Sequence, residues 1–234
     1  MAKTWKTLLI YRVMDREMER CARSYLRGRL IDIGCGTKPY KSLLAPYVTE
    51  HVGLDRVDPF NQLAEVDLVG TAYEIPVPDA SFDSAISNAA LEHLAEPQAA
   101  LSECHRVLKA GGIAVYTVPF IWHLHAEPWD YFRFSKYGLK HLFEKARFEV
   151  LEITAMAGFW TTAATMFAYY LGRFETGLVR RLRLLPAVGI SFQAMAFVLD
   201  KLDRAEEWTW MYTVVARKPQ QREIGSHDAQ AAVD

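Results

Sequence analysis

Eight residues constrain this chain more than any others: Leu30-Ile31-Asp32-Ile33-Gly34-Cys35-Gly36-Thr37. Leu30, Ile31 and Ile33 have the apolar, β-branched character of a buried strand. Gly34 and Gly36 then permit backbone angles closed to other residues, and they present no Cβ to an approaching ligand. Lys38-Pro39-Tyr40-Lys41-Ser42-Leu43-Leu44 follows as a helix start, with Pro39 near its first turn. A strand, a glycine turn and a helix in succession are how doubly wound α/β proteins seat an adenosine-containing cofactor.

The same residues narrow the ligand. The glycines form G-x-G, and Tyr40 stands near the place of the third glycine of a dinucleotide fingerprint. Asp32 lies inside the motif, where it would repel a pyrophosphate and suit a ligand with a cationic end. Both features disfavour a nicotinamide-dependent reductase. A second short strand, Val52-Gly53-Leu54, ends in Asp55, 23 positions after Asp32. At that offset a carboxylate can accept both hydroxyls of a ribose.

Strands over 29–34, 50–55, 64–68, 82–88 and 112–118 alternate with helices near 39–46, 71–74, 90–94 and 97–109. This predicts a parallel sheet with right-handed crossovers. Gly111-Gly112 reads as the turn that ends the last of these helices. Residues 135–146 read as a further helix, 147–154 as a sixth strand and Trp208–Arg217 as the last strand.

The set of motifs resembles the class I S-adenosylmethionine-dependent methyltransferases. Beyond the glycine turn, Ile75–Asn88 looks like that family's run into strand four. Leu91-Glu92-His93-Leu94 looks like the helix start after it, and Glu103–Gly112 like its helix, tight turn and fifth strand. The resemblance covers about residues 28–150. It implies a doubly wound, Rossmann-like α/β fold of seven strands, mostly parallel with an antiparallel last strand. It also implies S-adenosyl-L-methionine as cofactor, held by Asp32, Gly34, Cys35, Gly36, Asp55, Arg56, Thr71, Ala72, Asn88 and His93. Two positions depart from the family. Lys38 stands where a third glycine is frequent, which predicts a helix packed slightly farther from its strand. Thr71 stands where an Asp often meets the adenine amine, which removes charge assistance from that hydrogen bond.

With 234 residues, 51% hydrophobic, the chain suffices for one α/β domain with an elaboration. The formal net charge of −1 supplies no global field for nucleic acid. Cys21, Cys35 and Cys104 have no paired spacing and suit reduced thiols in the cytoplasm. No secretory leader is evident at the N-terminus. The expected organisation is an N-terminal amphipathic helix in 1–28, a cofactor-binding core over 29–155, a helical insertion over 156–205, the last strand in 206–217 and a disordered tail over 218–234. The first helix is expected to cover the cofactor pocket, with Arg12, Arg16, Arg20, Arg23 and Arg27 on its solvated face or against anionic lipid or glycan.

The insertion carries apolar helical patterns near 159–172 and 186–202, around Arg173, Arg180, Arg181 and Arg183. Three roles remain open for it: a buried cap or substrate lid, a homodimer surface, or a hairpin lying on a membrane.

Residues 119–134 follow strand five, at the sheet edge where ligands bind in such folds. They resemble the H-x-x-P-x-D-[YF]-x-R-[FY] segment of a bacterial methyltransferase subgroup often found among cell-surface glycan enzymes. His125, Pro128, Asp130, Tyr131, Arg133 and Phe134 fit it. A hydroxyl acceptor needs a base, and His125 is the first candidate, with His123 second. Asp130, Tyr131 and Arg133 complete the candidate catalytic set, with Asp130 and Arg133 expected to form an internal ion pair. A metal at His123, His125 and Glu127 matches no standard spacing, so no metal is expected. The expected activity is methyl transfer to a small-molecule, glycan or lipid-linked acceptor. The alternative is a cofactor-binding protein that has lost transfer and serves as a membrane or assembly partner.

Overall fold

The computed structural model describes residues 4–56, 65–178, 184–203 and 205–220. Its centre is a seven-stranded sheet: β1 (Arg29–Ile33), β2 (Glu50–Asp55), β3 (Leu68–Val69), β4 (Phe82–Asn88), β5 (Leu108–Pro119), β6 (Glu149–Ala155) and β7 (Met211–Arg217). The spatial order is β3-β2-β1-β4-β5-β7-β6. β7 runs antiparallel to both neighbours, and the other pairs are parallel. Strand order reverses between β1 and β4, which opens a crevice at their C-terminal ends.

Both faces of the sheet are covered, so its strands are near-continuous apolar runs. On one face lies α1 (Leu8–Tyr25), whose Met18, Cys21, Ala22 and Leu26 pack on Leu30, Ile86, Val115 and Val215. On the other, Leu101, Cys104 and Val107 of α3 (Pro97–Val107) join Leu139 and Phe143 of α4 (Lys136–Lys145). They pack on Ile31, Ala85, Ala114 and Tyr116. α1 therefore covers the sheet rather than the cofactor crevice, because its apolar stripe matches the outward residues of β1, β4 and β5. Its Arg20 pairs with Glu17 and with Glu152 of β6.

Several local expectations change. Gly111 and Gly112 lie inside β5, not in a turn that ends a helix. α3 stops at Val107, Leu108 already pairs with Phe82, and pairing resumes only at Ser84 with Ile113. Gly111, at φ +76°, absorbs the bulge and bonds the backbone of Lys218. Lys218 itself is anchored by Nζ bonds to the carbonyls of His105 and Leu108, so the chain past β7 is held at its start. Residues 221–234 of the expected tail lie outside the described residues. No helix spans 71–74: Thr71 Oγ1 accepts from the backbone N–H of Tyr73 and of Glu74, a hydroxyl-locked turn. Residues 90–94 hold one 3-10 turn, Leu91–His93. The helix after the glycine turn is α2, Lys41–Leu44.

Lys38 takes the left-handed conformation, φ +47°, that the missing glycine would have provided. Its buried ammonium bonds the His51 carbonyl and the Asp67 carboxylate. The stem lies over Gly53, where a Cβ would come within 2.3 Å of Lys38 Cε. A lysine is accommodated there because a carboxylate meets its charge and a glycine makes room for its stem.

Between β6 and β7 the chain forms α5 (Phe159–Leu171) and α6 (Leu184–Leu202). Polar side chains of α6 point inward. Asp200 accepts from the N–H groups of Gly158, Trp160 and Thr161, capping α5. Gln193 accepts from Leu9 N–H and donates to the Trp5 carbonyl at the start of α1. Leu184, Val188, Ile190, Met195, Val198 and Leu202 face outward and are exposed. α6 is also long and apolar enough, by length and composition, to cross a membrane. Arg180, Arg181 and Arg183 lie outside the described residues.

Candidate active site

The crevice between β1 and β4 is a cavity of about 730 Å³. One end is built from strand ends and backbone. Gly34 (φ +75°) and Gly36 (φ +51°) turn the chain after β1. The N–H groups of Gly34 and Cys35 both bond the Leu54 carbonyl, tying the turn to β2. A Cβ on Gly36 would meet nothing within 4 Å, so the glycine opens onto space rather than onto a neighbour. Asp55 ends β2 with its Oδ2 on Gly36 N–H and its Oδ1 on Arg56 N–H, both 2.8 Å. Those two bonds aim the carboxylate along the crevice. Arg56 continues the wall and lays its guanidinium over the Trp129 ring at 4.8 Å.

Of the residues predicted to hold the cofactor, Gly34, Gly36, Asp55, Arg56, Thr71, Ala72 and His93 line the cavity. Asp32, Cys35 and Asn88 are not on its wall. Asp32 is buried beneath it, its Oδ2 3.0 Å from His51 Nε2. Burial pushes that carboxyl up from its ordinary range, and the bond to His51 opposes the rise. Cys35 turns inward, where burial pushes its thiol up to about 12. Asn88 Oδ1 accepts from Thr117 Oγ1 at 2.5 Å and so joins β4 to β5.

The other end is built from side chains. The loop after β5 folds back so that the N–H groups of Tyr131 and Phe132 bond the Glu92 carbonyl, at 3.0 and 3.3 Å. Ala126, Glu127, Trp129 and Tyr131 thereby line the cavity. Arg133 grips Asp130 with two parallel bonds of 2.7 Å and reaches the Trp122 and His123 carbonyls. The fork holds the Asp130 carboxyl well below the usual range. Asp130 Oδ2 also accepts from His125 N–H at 2.9 Å. His123 turns the other way: its ring sits 5.0 Å from that of Tyr169 on α5, outside the cavity.

His125 faces Glu92 and His93 instead. Its Nε2 is 4.0 Å from Glu92 Oε1, and His93 Nε2 is 3.8 Å from the same oxygen. Burial lowers the His125 pKa, which keeps its ring neutral near pH 7. Burial pushes the Glu92 carboxyl up to about 8. Glu92 is 1% exposed, and neither of its carboxylate oxygens has a hydrogen-bond partner among the described residues. In the sequence Glu92 and His93 stand at a helix start beside the cofactor's expected position, where a capping role competes with a pocket role. His125 lies 33 positions on from Glu92, and no linear pattern joins them.

Residues 31–116 match the family of methyltransferase domains. Over 114 residues the chain is 32% identical to a protein of Mycolicibacterium smegmatis named "Probable S-adenosylmethionine-dependent methyltransferase", covering 46% of this chain and 42% of that one. The matched segment, residues 31–116, is thus similar to S-adenosylmethionine-dependent methyltransferase domains. The chain is also 25% identical over 179 residues to the chloroplastic 2-methyl-6-phytyl-1,4-hydroquinone methyltransferase 1 of Oryza sativa subsp. japonica, covering 68% and 53% of the two chains. The chain thus spans about half the length of the curated relatives it matches. The crystal structure of the YcgJ protein of Bacillus subtilis shares the fold, with a TM-score of 0.55 over 88% of this chain and 98% of that one, at 16% identity. The glycine-floored end with its terminal carboxylate fits an adenosine with a free ribose, as S-adenosylmethionine carries.

Proposed function

We propose that this chain methylates an oxygen nucleophile on an acceptor with a large apolar part, a lipid-linked glycan or similar small molecule, at a membrane surface. The observation that carries this reading is the two-ended cavity. One end suits the adenosine, and the other ends on His93 beside the Glu92–His125 pair. S-adenosylmethionine supplies a methyl carbon made electrophilic by its sulfonium; the chain's residues align the acceptor and deal with its proton. As the new carbon–oxygen bond forms, the sulfur–carbon bond breaks and its electrons stay on sulfur. The hydroxyl proton is lost to water beside the Glu92–His93–His125 cluster. Asp130 and Arg133 are positioning residues, since their charges are spent on each other and on the loop backbone. Tyr131 and Trp129 shape the wall.

The apolar acceptor is supported by α6. A helix that turns Gln193 and Asp200 inward and six large apolar residues outward has its amphipathicity reversed relative to a helix in water. A lipid monolayer satisfies such a face, and the arginines of the preceding connector suit an anionic leaflet. The acceptor in the rice relative's name carries a phytyl chain, which agrees with an apolar substrate. Unpaired, buried Cys21, Cys35 and Cys104 suit the cytoplasmic side.

Methyl-labelled S-adenosylmethionine, incubated with the protein and a membrane lipid extract, is expected to yield one labelled, organic-extractable product. Flotation is expected with anionic vesicles and to weaken with salt. A labelled product confined to the aqueous phase, or a soluble dimer that ignores vesicles, would overturn the lipid reading. Absence of any labelled product would favour a cofactor-binding protein without transfer.

A further inference from the structure

We propose that Glu92, His93 and His125 are the ligands of a divalent metal cation of the zinc class, held at the acceptor end of the cavity. This deepens the transfer reading above and rests on it for its catalytic role.

Hydrogen-bond bookkeeping fixes both imidazoles. His93 Nδ1 lies 2.8 Å from the Trp129 carbonyl, which can only accept, so Nδ1 carries the proton. His125 Nδ1 faces Asp130 Oδ2 and the His123 carbonyl, both at 3.3 Å and both acceptors. Arg133 Nη2 also lies 3.4 Å away. Its two protons already serve the His123 carbonyl and Asp130 Oδ2 at 2.8 and 2.7 Å. The His125 proton therefore also sits on Nδ1. Both rings present bare Nε2 lone pairs toward a buried carboxylate that has no partner.

Three electron-pair donors thus converge within 4.8 Å of one another. The Glu92–histidine separations, 3.8 and 4.0 Å, are too long for hydrogen bonds. A shared proton would satisfy one pair and leave the third atom facing it. A cation with bonds of about 2.0–2.1 Å would place its ligands roughly 3.3 Å apart, which side-chain rotation supplies. Two imidazoles and one carboxylate are a catalytic zinc donor set that leaves a position open. Each imidazole is backed by an acceptor on its far nitrogen, the His123 carbonyl for His125 and the Trp129 carbonyl for His93, as metal-bound histidines generally are. The backbone is committed to this meeting, because Tyr131 and Phe132 bond the Glu92 carbonyl and bring the two loops together. Of the three ligands, His93 lines the cavity, so a cation held here would sit beside it. An acceptor hydroxyl bound to that cation loses its proton to water more readily. The trio His123, His125 and Glu127, which the sequence disfavours as a metal site, is not brought together: the His123 ring lies against Tyr169, and Glu127 lies on the cavity wall.

The test uses the full chain stripped with EDTA, desalted and titrated with Co²⁺ and, separately, with Zn²⁺. One Co²⁺ per chain is expected, with visible absorption of a four- or five-coordinate nitrogen–oxygen site. His125→Ala and Glu92→Gln are each expected to weaken binding ~10–100-fold or more. His141→Ala, on the exposed face of α4, should leave it unchanged, and melting curves show which variants fold. No saturable binding, or binding that survives both ligand substitutions, would overturn the proposal. Should methyl transfer occur, depend on His125 and survive without bound metal, the cation falls and the transfer reading stands. Should Co²⁺ bind and depend on these residues while no acceptor is methylated, the site stands and the transfer reading falls.

Discussion

The two ends of the cavity are built by different means. At the cofactor end, Gly34, Gly36 and Asp55 sit at the termini of adjacent parallel strands, and the sheet itself sets their separation. Their working groups are backbone and one carboxylate bonded to Gly36 N–H. At the acceptor end, Glu92, His93, His125 and Asp130 come from a 3-10 turn and a loop, and only side-chain and loop hydrogen bonds hold them. A backbone-built site is nearly insensitive to its side-chain identities and very sensitive to added bulk. A side-chain-built site has the opposite sensitivities.

Gly34→Val sharpens this contrast most. The new side chain would need φ near +75°, and its Cβ would lie 2.8 Å from Ala90 Cβ. Backbone strain of about 1–3 kcal/mol plus that contact should lower the melting temperature and abolish calorimetric binding of S-adenosylmethionine. Normal binding by the folded variant would break the account of the turn. His125→Ala comes next. Turnover with the identified acceptor should fall by ~10²–10⁴, the range for losing a group that handles the acceptor's proton.

Asp130→Asn probes the support behind His125. Its side chain is only 2% exposed and carries the Arg133 fork, so the loss should cost about 3 kcal/mol. The sign with pH follows from the depressed folded value. An unfolded Asp titrates near about 3.9. The pair's stabilisation is complete above that pH and is lost as pH falls toward the lower folded value. Denaturant melts from pH 7 downward should show wild type losing this contribution and Asp130→Asn lacking that part of the slope.

The smallest effect belongs to the insertion. Asp200→Ala leaves three N–H groups at the start of α5 uncapped, for about 1–2 kcal/mol. Cofactor affinity should not move, because α5 and α6 contribute nothing to the cavity wall.

These differences also explain what could be read from the chain. The order of strands and the positions of Gly34, Gly36 and Asp55 follow from local apolar runs, glycines and a fixed offset, all of which are linear properties. Lys38 shows where local reading stops: its left-handed backbone and buried ammonium depend on Gly53 and Asp67, which are distant in sequence. Asp32 sits within the motif, yet the pleat turns it beneath the cavity toward His51. The Gly111-Gly112 pair reads as a turn because glycines usually end helices, whereas here they relieve a bulge. Glu92 reads equally as a helix cap or a pocket residue, because a glutamate after Leu91 resembles a helix start. Its lack of a partner becomes visible only when the loop after β5 is folded over it.

The central claim is this division of labour, and one titration series tests it directly. S-adenosylmethionine is titrated calorimetrically into wild type, Asp55→Ala and His125→Ala. Losing one or two charge-assisted bonds, about 2–4 kcal/mol, should weaken binding by roughly 30- to 1000-fold in Asp55→Ala. His125→Ala should bind like wild type. Equal affinities for Asp55→Ala and wild type, or a loss in His125→Ala as large as that in Asp55→Ala, would contradict the account.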